Sequence, residues 1–97
     1  MMRIDASDLP LDSVRAVSDD VCLVRTAAGV FATARWCPHA GGDLANGYVL
    51  GGKLRCAFHN LPYDPATGSQ PCARLPRLRV YPLTEVSAGV YELDPGD

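Results

Sequence analysis

The sequence predicts a small all-β domain, and three observations carry that expectation. Eight prolines and nine glycines cut its 97 residues at short intervals, which leaves little room for helices. Between these breaks lie short runs rich in Val, Leu, Thr and Tyr, residues that suit a pleated, half-buried surface. Hydrophobic residues make up 47% of the chain, enough for the modest core of one domain.

Taken in order, strands are expected over residues 14–17, 21–25 and 30–34, then 48–50, 53–56, 78–83, 85–87 and 90–93. Ala27-Ala28-Gly29 links the second and third as a hairpin. Gly51-Gly52 falls between Val49-Leu50 and Lys53-Leu54, where a two-residue hairpin loop needs positive φ. Asp64-Pro65-Ala66-Thr67-Gly68 has the composition of a turn that starts at an Asp and ends at a Gly. Ser87-Ala88-Gly89 turns the last hairpin, and Asp94-Pro95-Gly96-Asp97 reads as a frayed tail. The expected architecture is one domain over residues 1–97, an antiparallel sandwich or barrel base carrying a looped insertion over about residues 36–71.

Charge and composition exclude several function classes. The net charge is −2, without the basic stripe that nucleic acid requires. No apolar run approaches the roughly 20 residues of a membrane span, and Met1-Met2-Arg3-Ile4-Asp5 lacks the apolar stretch of a secretory signal. The expectation is a cytoplasmic protein. Thiols stay reduced there, so four cysteines in a short chain read as metal or redox chemistry before disulfides.

The chain has two histidines, each beside a cysteine at ligand spacing. Cys37-Pro38-His39 is one pair and Cys56-Ala57-Phe58-His59 the other, with sixteen residues between them. Thiolate suits iron–sulfur clusters and zinc, and imidazole suits iron and zinc alike. The order is informative. Structural Cys2His2 zinc sites run as two Cys followed by two His, whereas here each loop offers one of each. A Rieske centre places two Cys on one iron and two His on the other, so each loop would touch both irons and the centre would staple the loops together.

The stretch Cys37-Pro38-His39-Ala40-Gly41-Gly42-Asp43-Leu44, followed by Leu54-Arg55-Cys56-Ala57-Phe58-His59 and Tyr63-Asp64-Pro65-Ala66-Thr67-Gly68, resembles the Rieske iron–sulfur domain. It is similar to the ferredoxins and oxygenase N-terminal domains of bacterial ring-hydroxylating systems. The resemblance implies one [2Fe–2S] cluster per chain, with Cys37 and Cys56 on the buried iron and His39 and His59 on the outer, reducible one. It also implies an antiparallel β base with a cluster-binding subdomain formed by the insertion.

High-potential members carry two further cysteines where this chain has Gly42 and Ala57, and a Ser where it has Leu61. Fewer hydrogen bonds to sulfur stabilise the reduced cluster less, which points to the low end of the Rieske range, roughly −150 to 0 mV. Tyr63 falls where some high-potential members place a tyrosine hydroxyl, and that acts in the opposite direction.

The remaining candidates have bland readings beside the sharp ones. Cys22 lies inside the apolar run Val21-Cys22-Leu23-Val24 and reads as a core thiol; Cys72 has no partner at ligand spacing. Both are taken as non-ligands, and a bridge between them is disfavoured in a reducing compartment. Trp36, Phe58 and Tyr63 read as a hydrophobic shell or as ordinary packing. Leu61-Pro62 is either an exposed apolar contact or loop packing. Arg74, Arg77 and Arg79 are a solvated strand face before they are a docking face.

With both histidines in the ligand pairs, none remains for the mononuclear iron that oxygenases of this family bind through two His and a carboxylate. The expected function is that of a carrier with no small-molecule substrate: a ferredoxin passing electrons from a flavin reductase to a terminal oxygenase. The chain's Met1 start and loose Asp97 end favour a standalone protein over the alternative, an electron-transfer subunit or domain of a larger oxidoreductase. A zinc-holding or cluster-free structural module is the third reading.

Overall fold

A computed structural model of the chain describes residues 2–38, 41–57, 61–72 and 74–94. Its strands are β1 (Met2–Asp5), β2 (Ser13–Ala16), β3 (Val21–Thr26), β4 (Gly29–Ala34), β5 (Tyr48–Leu50), β6 (Lys53–Arg55), β7 (Pro62–Tyr63), β8 (Val80–Tyr81), β9 (Leu83–Ser87) and β10 (Val90–Leu93). They form three antiparallel sheets, ordered β1-β10-β9, β2-β3-β4-β8 and β5-β6-β7. Among the described residues the single helical element is a three-residue 3-10 turn, Leu44–Asn46, and no helix is long and apolar enough to cross a membrane.

The turn chemistry read from the sequence operates as expected. Thr26 pairs with Gly29 across Ala27-Ala28, and the Thr26 hydroxyl accepts from the Ala28 amide at 3.1 Å. Gly51 and Gly52 have φ of +62° and +76°, the double positive φ that matches a two-residue loop to twisted strands. Leu50 then pairs with Lys53.

The central sheet separates two cores. Side chains alternate along β3, and Val21 and Leu23 pack into one core while Val24 packs into the other. The first core joins the central sheet to β1-β10-β9 through Ala6, Leu9, Ala32 and Leu93, with Ile4, Leu83 and Tyr91 against it. The second joins the opposite face to β5-β6-β7 through Leu44, Val49, Leu54 and Tyr63, together with Leu78, Cys37 and Cys56. Each fully buried Leu or Val contributes about 1.5–3 kcal/mol, so both faces of β3 stabilise the fold.

Three features differ from the sequence expectation. The run 78–83 is not one strand. Pro82 interrupts it, and the chain changes sheets there: β8 pairs with β4, whereas β9 starts at Leu83 and pairs with β10. β1 and β7 were not expected. β1 is mostly exposed and held by pairing with β10, so no apolar alternation marks it, and β7 is only two residues long.

Candidate metal centre

The described ends of two loops of the expected insertion are held by backbone hydrogen bonds. β4 leads into Arg35-Trp36-Cys37, and the chain folds back at once. The Cys37 amide donates to the Gly42 carbonyl at 2.8 Å, and the Gly41 amide to the Cys37 carbonyl at 2.7 Å. The Leu44 amide donates to the Arg35 carbonyl at 2.7 Å. Across the base of this loop the Arg35 guanidinium makes a two-pronged contact with Asp43, Nε to Oδ1 at 2.9 Å and Nη2 to Oδ2 at 2.8 Å. Asp43 also caps the 3-10 turn by accepting from the Ala45 amide. The Arg35 hydrogen bond is the main reason the Asp43 carboxyl lies below the usual carboxylate range. Such bidentate pairs are strong and geometrically specific.

The second loop leaves β6 at Cys56 and returns as β7. Its ends are joined by the pairing of Leu54 with Tyr63 and of Arg55 with Pro62. Behind it, the Asp64 carbonyl accepts from the Gly68 amide at 2.6 Å, and the Gly68 carbonyl accepts from the Leu78 amide at 2.9 Å. Gly68 has φ of +79°, and a Cβ there would run into the Leu78 carbonyl oxygen. Glycine is therefore required at this position.

The thiols of Cys37 and Cys56 are buried in the same core, each residue 1% exposed, and both are free of any disulfide. Tyr63, fully buried, places its hydroxyl 3.3 Å from Cys37 Sγ. Burial pushes the Tyr63 phenol up, and its contact with Cys37 adds to that, so the hydroxyl is protonated at neutral pH. Against a thiolate it is the donor. Two soft donors, free of a disulfide and sealed from water by Leu44, Leu54 and Leu78, fit the thiolate half of a [2Fe–2S] centre. His39 and His59 lie outside the described residues. Among the described residues no three His, Cys, Asp or Glu side chains converge.

Other expectations resolve differently. Cys22 is fully buried and free; burial pushes its thiol up to about 12, with Asp43 adding to the shift and Arg35 opposing it. Cys72 is free and half-buried. Trp36 is not part of a buried shell. It is 45% exposed, its indole N–H donates to the Asp19 carbonyl at 2.8 Å, and Arg35 stacks over its ring. Alternation explains this, because the neighbouring Cys37 takes the inward position. Leu61 packs against the thiol core, and Phe58 lies outside the described residues. Sequence reasoning missed the Arg35–Asp43 clamp, since Arg35 lies outside the ligand motif and a lone Arg gives no pairing signal.

The sequence model of the Rieske [2Fe-2S] domain matches residues 2–82. A 4beta-methylsterol monooxygenase of Methylococcus capsulatus is 36% identical over 87% of this chain and 26% of its own length. The ferredoxin component of a 2,4-dinitrotoluene dioxygenase system from a Burkholderia species is 29% identical over 64% of this chain and 61% of its own. The chain thus spans about a quarter of the first relative and about three-fifths of the second. Among solved structures, the ferredoxin of Sphingomonas yanoikuyae B1 superposes with a TM-score of 0.82 at 24% identity, covering 98% of each chain. The all-β fold is therefore that of a Rieske ferredoxin. With the family match running from β1 to Pro82, across both cysteine loops and the central sheet that separates the two cores, this chain belongs to the Rieske [2Fe–2S] domain family, whose members hold one such cluster per chain.

Proposed function

We propose that the chain is a one-electron carrier whose cluster is held by Cys37, His39, Cys56 and His59, the thiolates on the inner iron and the imidazoles on the outer. In this reading residues 1–97 are a single Rieske domain, about 36–71 form its cluster-binding part, and the protein is cytoplasmic. It acts as a ferredoxin, taking electrons from a flavin reductase and passing them to a terminal oxygenase. The observation that carries the reading is the pair of buried, disulfide-free thiols in one core with the Tyr63 hydroxyl on Cys37.

When bound, the cluster supplies a one-electron couple between Fe(III)/Fe(III) and Fe(II)/Fe(III). The chain's own residues set its environment. Tyr63 donates to the Cys37 sulfur, draws negative charge from it, and so favours the more negative reduced state. Leu44, Leu54 and Leu78 keep water from the sulfur side. The Arg35–Asp43 clamp holds the first loop in place. Reductive titration of protein purified without chelator tests the reading: bleaching of a visible band that saturates at one electron per chain supports it. A colourless protein holding stoichiometric zinc would overturn it in favour of a structural module.

The 36% identity to a monooxygenase nearly four times longer favours one other reading, a domain of a larger oxidoreductase. The natural reading frame separates the two. A stop after residue 97 gives a standalone carrier, and continued coding sequence with two His and a carboxylate gives an oxygenase.

A further inference from the structure

The charges of this chain are segregated. Between Asp64 and Glu85 there is no acidic residue, and the segment carries Arg74, Arg77 and Arg79; the rest of the chain has six basic residues and eleven acidic ones. All three arginines are exposed. Arg3, Arg15, Arg35 and Lys53 each pair with a carboxylate, whereas among the described residues none of these three does. Arg77 donates instead to the Thr67 carbonyl at 3.2 Å, and Arg79 stacks over Tyr81 with its guanidinium 4.8 Å from the ring centre.

This basic segment is tied directly to the thiol core. Leu78, between Arg77 and Arg79, is 2% exposed and packs in the cluster that contains Cys37, Cys56 and Tyr63. The Arg79 carbonyl accepts from the Ala34 amide at 2.8 Å, three residues before Cys37. Arg79, Tyr81 and the exposed Trp36 line one cleft of about 370 Å³, in which Asp20 is the one carboxylate. Exposed Trp and Arg beside a half-buried Tyr match the composition enriched at protein interfaces. Three arginines alone hold a lipid surface only weakly, at about 1 kcal/mol each.

We infer that Arg74, Arg77 and Arg79, with Trp36 and Tyr81 beside Arg79, form a docking face for an acidic redox partner protein on the flank of the cluster-binding loops. The inference rests on the electron-carrier reading and adds the sign of the partner's charge. The overall charge of −2 predicts that an anionic oxidant is repelled, so the local face reverses the expected salt dependence.

The test uses ferricyanide, which takes one electron from the reduced protein to become ferrocyanide, in stopped-flow at 10 to 150 mM ionic strength. The Debye length falls from about 30 to 8 Å over that range. The rate is expected to fall roughly tenfold with added salt, and to rise with salt for hexaammineruthenium(III). An Arg74→Gln/Arg77→Gln/Arg79→Gln variant loses the ferricyanide dependence, and the corresponding triple Lys variant keeps it. A ferricyanide rate that rises with salt in the wild-type protein overturns the inference, whether or not the Gln variant folds. So does a Gln variant that behaves as wild type.

Fluorescence gives a readout independent of the cluster, since Trp36 is the sole tryptophan. Iodide should quench it more than caesium does, and the Gln variant should lose the difference. If the protein binds no cluster, the carrier reading fails while this quenching contrast still reports on the face. Sedimentation with phosphatidylglycerol vesicles that the Gln variant abolishes would assign the face to lipid and overturn the protein-partner inference.

Discussion

The two cores of this domain are built from the same strand but obey different rules. Val21 and Leu23 on one face of β3 meet Ala6, Leu9, Ala32 and Leu93, a core of apolar side chains closed by antiparallel sheet pairing. Val24 on the other face meets Leu44, Leu54 and Leu78, but also two thiols and a phenol. The walls of this second core are largely loops, held by the Arg35–Asp43 clamp and the Asp64–Gly68 turn instead of long strands. The first core is stabilised by apolar burial and strand pairing. The second places chemistry at its centre, and a metal centre bound there would offset the short strands around it.

Replacing a cysteine separates the cores most sharply. Cys56→Ala should abolish the visible spectrum and collapse hydrogen-exchange protection at Leu54 and Tyr63, while protection in β3 and β4 persists. Loss of protection throughout would mean that the two cores form one cooperative unit. In the converse substitution, Leu23→Ala should cost about 2–5 kcal/mol in denaturant unfolding and leave the visible spectrum unchanged in the folded protein. A shifted spectrum would show that the base shapes the centre.

A finer distinction lies within the second core. Tyr63→Phe removes one hydrogen bond to Cys37 sulfur and keeps the packing. The reduction potential should fall by roughly 40–80 mV, corresponding to about 1–2 kcal/mol of lost preference for the reduced state. An unchanged potential in a voltammetric titration would reduce Tyr63 to a packing residue.

The clamp gives a pH signature. The Asp43 carboxyl titrates below its ordinary value because Arg35 stabilises its charged form. Its contribution is therefore complete above the ordinary carboxylate value of about pH 4 and is lost as pH falls through the lowered value. Asp43→Asn should remove about 1 kcal/mol at pH 7 and flatten this acid limb of an unfolding profile. The smallest effect is expected at Cys22. Buried near Asp43 with its thiol pushed up to about 12, it should resist thiol reagents at pH 8, and Cys22→Ala should leave the visible spectrum intact.

The contrast between the cores also governs what could be read from sequence. Short runs of β-forming residues marked β3 and β4, and paired glycines marked the Gly51-Gly52 hairpin, because local rules suffice there. The two Cys-His pairs stand out in the sequence because soft donors at short spacing carry their own chemistry, and the structure places Cys37 and Cys56 in one core. Long-range features left no local mark. Pro82 lets a continuous apolar run be shared between two sheets, β1 is held by a partner about ninety residues away, and Arg35 finds Asp43 only after the loop folds. Trp36 was expected to be buried because it is aromatic and adjoins a ligand position, yet alternation turns it outward.

The central claim is that two thiolates and two imidazoles hold the cluster between these loops. Pulsed EPR of the dithionite-reduced protein, labelled with 15N at histidine alone, tests it most directly. The account predicts strong hyperfine coupling to two histidine nitrogens, with one of them lost in each of His39→Cys and His59→Cys. A reduced cluster that shows no coupling to histidine nitrogen would contradict it.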